Sequence, residues 1–264
     1  MEITIYTVCY NEEIMLPFFI KWYRERFANC KIVVYDNESD DKTRKIAIEN
    51  NCEVVIYSTN NKLSDGKFLE IKNNCWKDAN TDWVLICDCD EHLDINEEDL
   101  KAESEKGVTI ITTKGYDVVN LNEDYRIDQM NCGCNSPVYS KKVLFNKSKV
   151  KEINYLPGCH IANPKGTIVY SENVYNMFHK MYVNTEFLVN KYERNSKRLS
   201  TENIKNGWSI HYKKKNYKDA ITDCDKAILY NEKYGESYLN RAISKEMLKD
   251  AKNFISEARK IYQK

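Results

Sequence analysis

The run Asp88-Cys89-Asp90 stands directly after the apolar stretch Trp83-Val84-Leu85-Ile86-Cys87. Alternation along an extended backbone directs both carboxylates to one side. At the carboxyl end of a strand, such a pair suits a hard divalent cation held against a substrate diphosphate. Mg2+ or Mn2+ takes carboxylate and phosphate oxygens and otherwise keeps several waters. Glu91 and His92 follow at once, placed to orient these ligands or to face an acceptor. Asp-X-Asp also arises by chance as a solvated acidic turn, so the pair gains meaning only from its partners.

Two further polar turns supply candidates. Asp36-Asn37-Glu38-Ser39-Asp40-Asp41 follows the strand-like run Lys31-Ile32-Val33-Val34-Tyr35. An acidic residue at such a turn commonly reaches a ribose hydroxyl or a base imide, while Ser39 and Asp40 also suit a helix N-cap. Thr7-Val8-Cys9-Tyr10-Asn11-Glu12-Glu13 reads as the first strand-to-helix turn. There Tyr10 could stack on a base and backbone amides could approach a nucleotide. Neither Gly-X-Gly-X-X-Gly nor a phosphate loop occurs at this turn, which speaks against a dehydrogenase or a kinase.

The elements needed to hold these turns alternate strand and helix. Strands are expected at 3–8, 31–35, 52–57 and 83–87, with helices at 12–27, 41–50 and 66–80. Helices between strands at this spacing imply a parallel, doubly wound α/β sheet, whose ligands bind outside the carboxyl ends of its strands. A short helix through about 106 follows. Further strands at 108–112, 116–121, 138–145 and 167–170 suggest a mixed second half. From about Asn184 the chain turns helical and Lys-rich. Tyr217-Lys218-Asp219-Ala220-Ile221 and Tyr238-Leu239-Asn240-Arg241-Ala242 are spaced like tetratricopeptide hairpins, short of the roughly three repeats an independent solenoid needs. The division expected is a nucleotide-binding domain over 1–183 and a helical region over 184–264. The latter reads as an appendage packed on the first domain, or as a surface for a protein partner.

Composition limits the alternatives. Lys plus Arg and Asp plus Glu number 40 each, so no global field favours nucleic acid or an anionic membrane. No apolar run approaches the ~20 residues of a membrane-spanning helix. The N-terminus has no basic, apolar leader pattern, and several of the 10 cysteines fall in expected strands. Reduced thiols and a cytoplasmic location are the expectation.

Taken together, these segments resemble the inverting glycosyltransferase family 2, which has the GT-A fold. That fold is a Rossmann-like, nucleotide-binding mixed sheet flanked by helices. The family's Thr-X-X-X-Asn-Glu opening corresponds to Thr7 through Asn11-Glu12, and its acidic Ser-containing turn to Asp36 through Asp40. Its basic-Asn pair corresponds to Lys72-Asn73 and its metal motif to Asp88-Cys89-Asp90. The resemblance covers about residues 1–95 well and 96–200 loosely. It implies that Thr7, Tyr10, Asn11, Glu12, Asp36 and Asn37 face the nucleotide-sugar, with Asp36 on the nucleoside and Lys72 near the diphosphate. Asp90 would ligate Mn2+ or Mg2+, with Asp88 joining it directly or through water. Gly158-Cys159-His160 and His179-Lys180 look like the late His motifs of one branch. His179 would be a third metal ligand or a diphosphate contact, and Lys180, Arg194 and Arg198 a basic lid.

The family's catalytic base, usually in a Glu-Asp pair at a helix start, has no clear counterpart. Glu123-Asp124 is the nearest pair, and we rank Asp128 first, then His160 and Asp124, with Glu152 a further rival. Cys132-Gly133-Cys134 with Cys159 and His160 is too tight for the usual zinc spacing. The function expected is metal-dependent, inverting transfer of a hexosyl or deoxyhexosyl group. The donor is a UDP-, GDP- or dTDP-sugar, and the acceptor a glycan or other hydroxyl. The rivals are a nucleotidyltransferase, which would show a Gly-rich basic first loop, and a non-catalytic scaffold acting through the helical tail.

Overall fold

The computed structural model describes residues 1–120, 125–130, 132–210 and 212. Asp124 and the tetratricopeptide-like segments beyond 212 lie outside the described residues. The order is β1 (Ile3–Cys9), α1 (Leu16–Arg26), β2 (Cys30–Asp36), α2 (Thr43–Glu49), β3 (Glu53–Ile56), α3 (Asp65–Asn74) and β4 (Trp83–Ile86). There follow β5 (Glu91–Asp94), α4 (Glu97–Glu105), β6 (Ile110–Val119), β7 (Cys132–Asn135), β8 (Leu144–Asn146), β9 (Val150–Glu152) and β10 (Lys165–Gly166). β11 (Tyr170–Tyr182), α5 (Thr185–Arg198) and α6 (Thr201–Asn206) complete it.

One mixed sheet runs β3-β2-β1-β4-β8-β6-β11-β5, with β7 on β6. Its first four strands are parallel, which is the expected α/β arrangement of a GT-A fold. Antiparallel pairing begins where β8 joins β4. Alternate residues of the central strands enter two separate cores. Ile5, Val34 and Leu85 pack with Leu16, Phe19, Ile20 and Tyr23 of α1, whereas Tyr6, Val33, Val84 and Ile86 pack with Trp76 and Phe145. Apolar residues on both faces produce the near-continuous hydrophobic runs that made these strands visible.

The first two polar turns are knitted together. β1 and β2 end level, Cys9 opposite Asp36, and the backbone amides of Asn11, Glu12 and Glu13 donate to Ser39 Oγ, Thr43 Oγ1 and Asp41 Oδ2 at 2.7–3.0 Å. Helix α1 has no side-chain cap of its own and starts at Leu16, with Pro17 in its first positions. This shortens the helix expected from residue 12, because proline without an N–H belongs at a helix start.

The second half departs from expectation in three places. Strands foreseen at 108–112 and 116–121 are one strand, β6. The strand foreseen at 138–145 is a 3-10 turn at Pro137–Tyr139 followed by the short β8; Pro137 lacks the N–H that a ladder needs. The strand foreseen at 167–170 is instead the 13-residue β11. Its Asn, His and Lys residues hide the period-2 pattern. β5 escaped notice for the same reason, since its buried residues include Glu91 and His92.

Leu85 is fully buried on β4, which pairs with both β1 and β8. Leu85→Ala is expected to lower the unfolding free energy by about 2–5 kcal/mol. Equilibrium urea denaturation monitored by circular dichroism measures this, with an unchanged m-value expected.

Candidate active site

The carboxyl ends of β1 and β4, the start of β5, the end of β11 and one face of α5 enclose a cleft of about 330 Å³. It is size-compatible with a small-molecule site. Among the described residues five acids line it, Glu12, Asp65, Asp88, Asp90 and Glu91, together with five cations, Lys72, Lys141, Lys191, Arg194 and Arg198. The formal charges of the lining therefore cancel.

Asp88 and Asp90 sit in the turn between β4 and β5 rather than in an extended segment, yet both face the cleft. Helix α3, capped by Ser64, which accepts from the Lys67 amide, carries Lys72 in its last turn. The Lys72 ammonium donates to Asp88 Oδ1 at 2.6 Å. Lys141, buried after the 137–139 turn, lies 3.7 Å from Asp88 Oδ2 and pairs with Glu91. The other oxygen of Glu91 accepts the Asp88 amide at 3.2 Å, so Glu91 sets the turn. Burial acts to raise the pKa of Asp88, and Lys72 and Lys141 outweigh it, leaving the carboxyl below its ordinary value. Burial acts to lower Lys72, and Asp88 foremost holds it well above the ordinary range.

Asp90 belongs to a second group. Lys191 of α5 donates to Asp90 Oδ2 at 2.8 Å and lies 3.4 Å from Glu12 Oε1. Arg194, one turn on, stands 3.6 Å from the same Glu12 oxygen and donates to the Asn11 carbonyl at 2.7 Å. Burial opposes ionisation of Asp90, but Lys191 and then His179 keep its pKa far below the usual carboxylate range. For Glu12 burial prevails, and its pKa is raised. Arg198 lies over the Tyr10 ring at 3.1 Å. Both Arg198 Nε and the Tyr10 hydroxyl donate to Asn61 Oδ1. Helix α5 is tied at both ends: Phe187 joins the core, and Leu63 exchanges backbone hydrogen bonds with Arg198 and Ser200.

His179 of β11 is buried. Its Nδ1 lies 2.6 Å from Asp117 Oδ1, its Nε2 lies 3.7 Å from Asp90 Oδ2, and the ring stacks on Tyr139 at 3.8 Å. With Asp117 accepting from Nδ1–H, the Nε2 lone pair and Asp90 face a common point. This is the carboxylate–His arrangement that orients a metal ligand. Among the described residues no three His, Cys, Asp or Glu side chains form a metal cage. Were a Mn2+ or Mg2+ ion to sit at that point, Asp90 and His179 would supply two donors, and phosphate and water the remaining oxygens. His160, exposed at residue 160, lines the same cleft and meets Tyr139 edge-on at 5.6 Å. Its Nδ1 lies 3.1 Å from the Val138 carbonyl. That carbonyl accepts only from Nδ1–H, which leaves Nε2 free as a base.

The structure thus gathers Tyr10, Glu12, Lys72, Asp88, Asp90, His160 and His179. Others stand apart. Asp36 is fully buried and holds Arg44 and the Ser39 amide, and Asn37 exchanges hydrogen bonds with Thr59. Thr7 is buried in the strand, and the Asn11 side chain pairs with Asp40. Asp128 is about half exposed, 3.8 Å from Lys21, and outside the cleft lining. His92 is buried against Phe19, Trp22 and Tyr23. Lys180 points away from the cleft because neighbours on a strand face opposite ways. Its ammonium lies 4.6 Å over Trp22 and donates to the Ile127 carbonyl. Lys141, Lys191 and Asp117 were missed. Lys191 was accessible through helical spacing, since 191, 194 and 198 share one face with the two arginines that were noticed. Nothing in the local pattern marks Lys141 or Asp117.

The sequence profile of glycosyl transferase family 2 matches residues 4–149, which contain β1 through β8 and the Asp88-Cys89-Asp90 turn. The chain belongs to this family. No curated protein matches it. Among solved structures, S. aureus TarS is similar at 16% identity and TM-score 0.45 over 74% of this chain and 39% of that one, so the chain spans well under half of that protein's length. S. aureus TarS 1-349 in complex with UDP is similar at 14% identity and TM-score 0.43, over 100% of this chain and 92% of that one. Glucosyl-3-phosphoglycerate synthase from Mycobacterium tuberculosis, with Mn2+, UDP and glucosyl-3-phosphoglycerate, is similar at 18% identity and TM-score 0.30, over 43% and 44%.

Burial, and then the nearby Arg26, lower the Lys180 pKa to about 8. Its amine is expected to be charged below that pH and neutral above it. NMR of 13C-dimethylated lysines, assigned with Lys180→Arg, should show one methyl resonance titrating near pH 8 and unmoved by added nucleotide.

Proposed function

We propose that this family member transfers a sugar from a nucleoside-diphosphate sugar to an acceptor hydroxyl, with a divalent metal and inversion at the anomeric carbon. The observation that carries this reading is the convergence of Asp90 and His179 Nε2 in a cleft lined by Lys72, Lys191 and Arg194. Asp90 and His179 would hold Mn2+ or Mg2+. When bound, the ion supplies Lewis-acid stabilisation of the departing diphosphate.

The chain's own residues do the rest. The acceptor oxygen attacks the anomeric carbon as its proton passes to His160 Nε2. The carbon–oxygen bond to the diphosphate breaks, and its electron pair leaves on the phosphate oxygen. Lys72, Lys191 and Arg194 offset the charge that develops there. The Tyr139 ring meets His160 edge-on and stacks on His179, so the base and the metal-facing imidazole share one aromatic neighbour. Of the five cleft carboxylates, Asp88, Asp90, Glu91 and Glu12 each have a cation within 4 Å, and Asp65 accepts from the Ser209 hydroxyl at 2.8 Å. Among the described residues none of these carboxylates is left without a partner, as the nucleophile of a double displacement would be, which favours inversion. Arg198 and Tyr10 offer a stacking surface for the base of the nucleotide.

A thermal-shift screen of UDP-, GDP- and dTDP-sugars with and without Mn2+ tests the reading. One nucleotide is expected to raise Tm only with Mn2+, and Asp90→Asn to abolish the shift. A well-folded protein shifted by none of them would refute it.

His160 carries a second test. Partial burial against the cleft wall, and then Lys141, lower its pKa below the ordinary value, which favours the neutral ring over more of the pH range. Transfer with the nucleotide-sugar that shifts Tm is expected to fall as acid protonates the ring, at a pH below about 6.5. His160→Gln should reduce kcat by about 100- to 10,000-fold and remove that acid limb, while leaving the thermal shift intact.

A further inference from the structure

Lys191 occupies the position where a metal's charge would be felt. Its ammonium donates to the same Asp90 oxygen that His179 Nε2 faces, and its other neighbour is Glu12. All three side chains are about nine-tenths buried. A divalent ion on Asp90 and His179 would stand against this ammonium, so the two cations compete for one carboxylate. Among the described residues the cleft lining is already neutral in formal charge. A diphosphate entering alone would add uncompensated negative charge to a partly desolvated space. A metal entering alone would have to dislodge Lys191 and leave that ammonium without its nearest carboxylate. Either event alone carries a desolvation cost. Entering together, the ion takes Asp90 and the phosphates take Lys191.

We infer that Lys191 is an exchangeable counter-ion of Asp90 that moves to the diphosphate when the metal arrives, making metal and donor binding depend on each other. This rests on the glycosyltransferase reading above. The movement required is that of the side chain. Helix α5 is held by Phe187 at one end and by Leu63 at the other, whereas the lysine stem has four rotatable carbons to swing through. Arg194 remains on Glu12 and the Asn11 carbonyl, so Glu12 keeps a partner after the exchange.

Mn2+ binding, read from the loss of the free-ion signal in electron paramagnetic resonance, tests this without measuring transfer. In the wild type, saturating UDP (or the nucleoside diphosphate whose sugar raises Tm) is expected to tighten Mn2+ binding by at least about tenfold, a coupling of ordinary size. In Lys191→Gln, Mn2+ alone should bind about tenfold more tightly than to wild type, and the tightening by nucleotide should shrink severalfold. Lys191→Arg should retain the wild-type coupling. Equal Mn2+ affinity in wild type and Lys191→Gln would overturn the inference while leaving the transferase reading in place. Should Lys191→Gln fail to fold, absence of any Mn2+–nucleotide coupling in the wild type overturns it equally. Failure of the wild type to bind Mn2+ with every nucleotide would remove the metal reading itself.

Discussion

Asp90 and Glu12 are taken out of water on two different turns, and a single ammonium, that of Lys191, lies against both. Burying a carboxylate without a partner is prohibitive, whereas a paired one is tolerated with little net gain. That constraint decides which elements have to meet. α5 must cross the mouth of the cleft to bring Lys191 and Arg194 to the β1 and β4 turns. Leu63 must reach the end of α5 to hold it there, and α6 must follow closely enough for Asn203 to accept the Asp65 amide at the start of α3. Helix α5 is therefore part of the cleft, and α6 braces the start of α3 behind it.

A second consequence concerns the first two turns. The residues most suggestive of nucleoside contact, from Asp36 to Asp41, spend their hydrogen bonds on one another, on the chain entering α1 and on neighbours such as Arg44, Ser58 and Thr59. A turn rich in Asp, Ser and Asn is chemically ambiguous because the same oxygens that could meet a ribose also satisfy unpaired backbone amides. Here Ser39, Asp41 and Thr43 fill the second role visibly. Tyr10 and Arg198, joined face to face and through Asn61, instead present the aromatic surface of this part of the cleft.

The parallel half of the sheet was legible because strands buried on both faces are runs of Ile, Val and Leu, and the Asp88-Cys89-Asp90 turn stands at the end of one. The antiparallel half was not. β5 and β11 bury Glu91, His92, His179 and Lys180, residues whose types argue against a core until their partners are known. His160, His179 and Lys72, which the family resemblance singles out, do line the cleft. Lys141 and Asp117 were not singled out, since each is defined by what folds against it: Glu91 for the first, the His179 ring for the second. Lys180 was placed on the wrong side because adjacency to His179 in the chain suggested a shared role, and a strand separates such neighbours.

That separation gives β11 an unusual dependence on its alignment. Its pairing holds His179 opposite Glu91 on β5 and opposite Asp117 on β6. Slipping the strand by one residue would trade the two side chains: an ammonium would project beside Asp90, and an imidazole would rest on Trp22. The pairing with β6 shifts on both sides of this point, between Tyr170 and Val174 and again between His179 and Tyr182. The irregularities thus bracket a short stretch of strict alignment from Val174 to His179. Length changes in the loops flanking β11 can be absorbed at those two irregular points, whereas a single inserted or deleted residue inside the stretch would reverse which face of the sheet carries the imidazole.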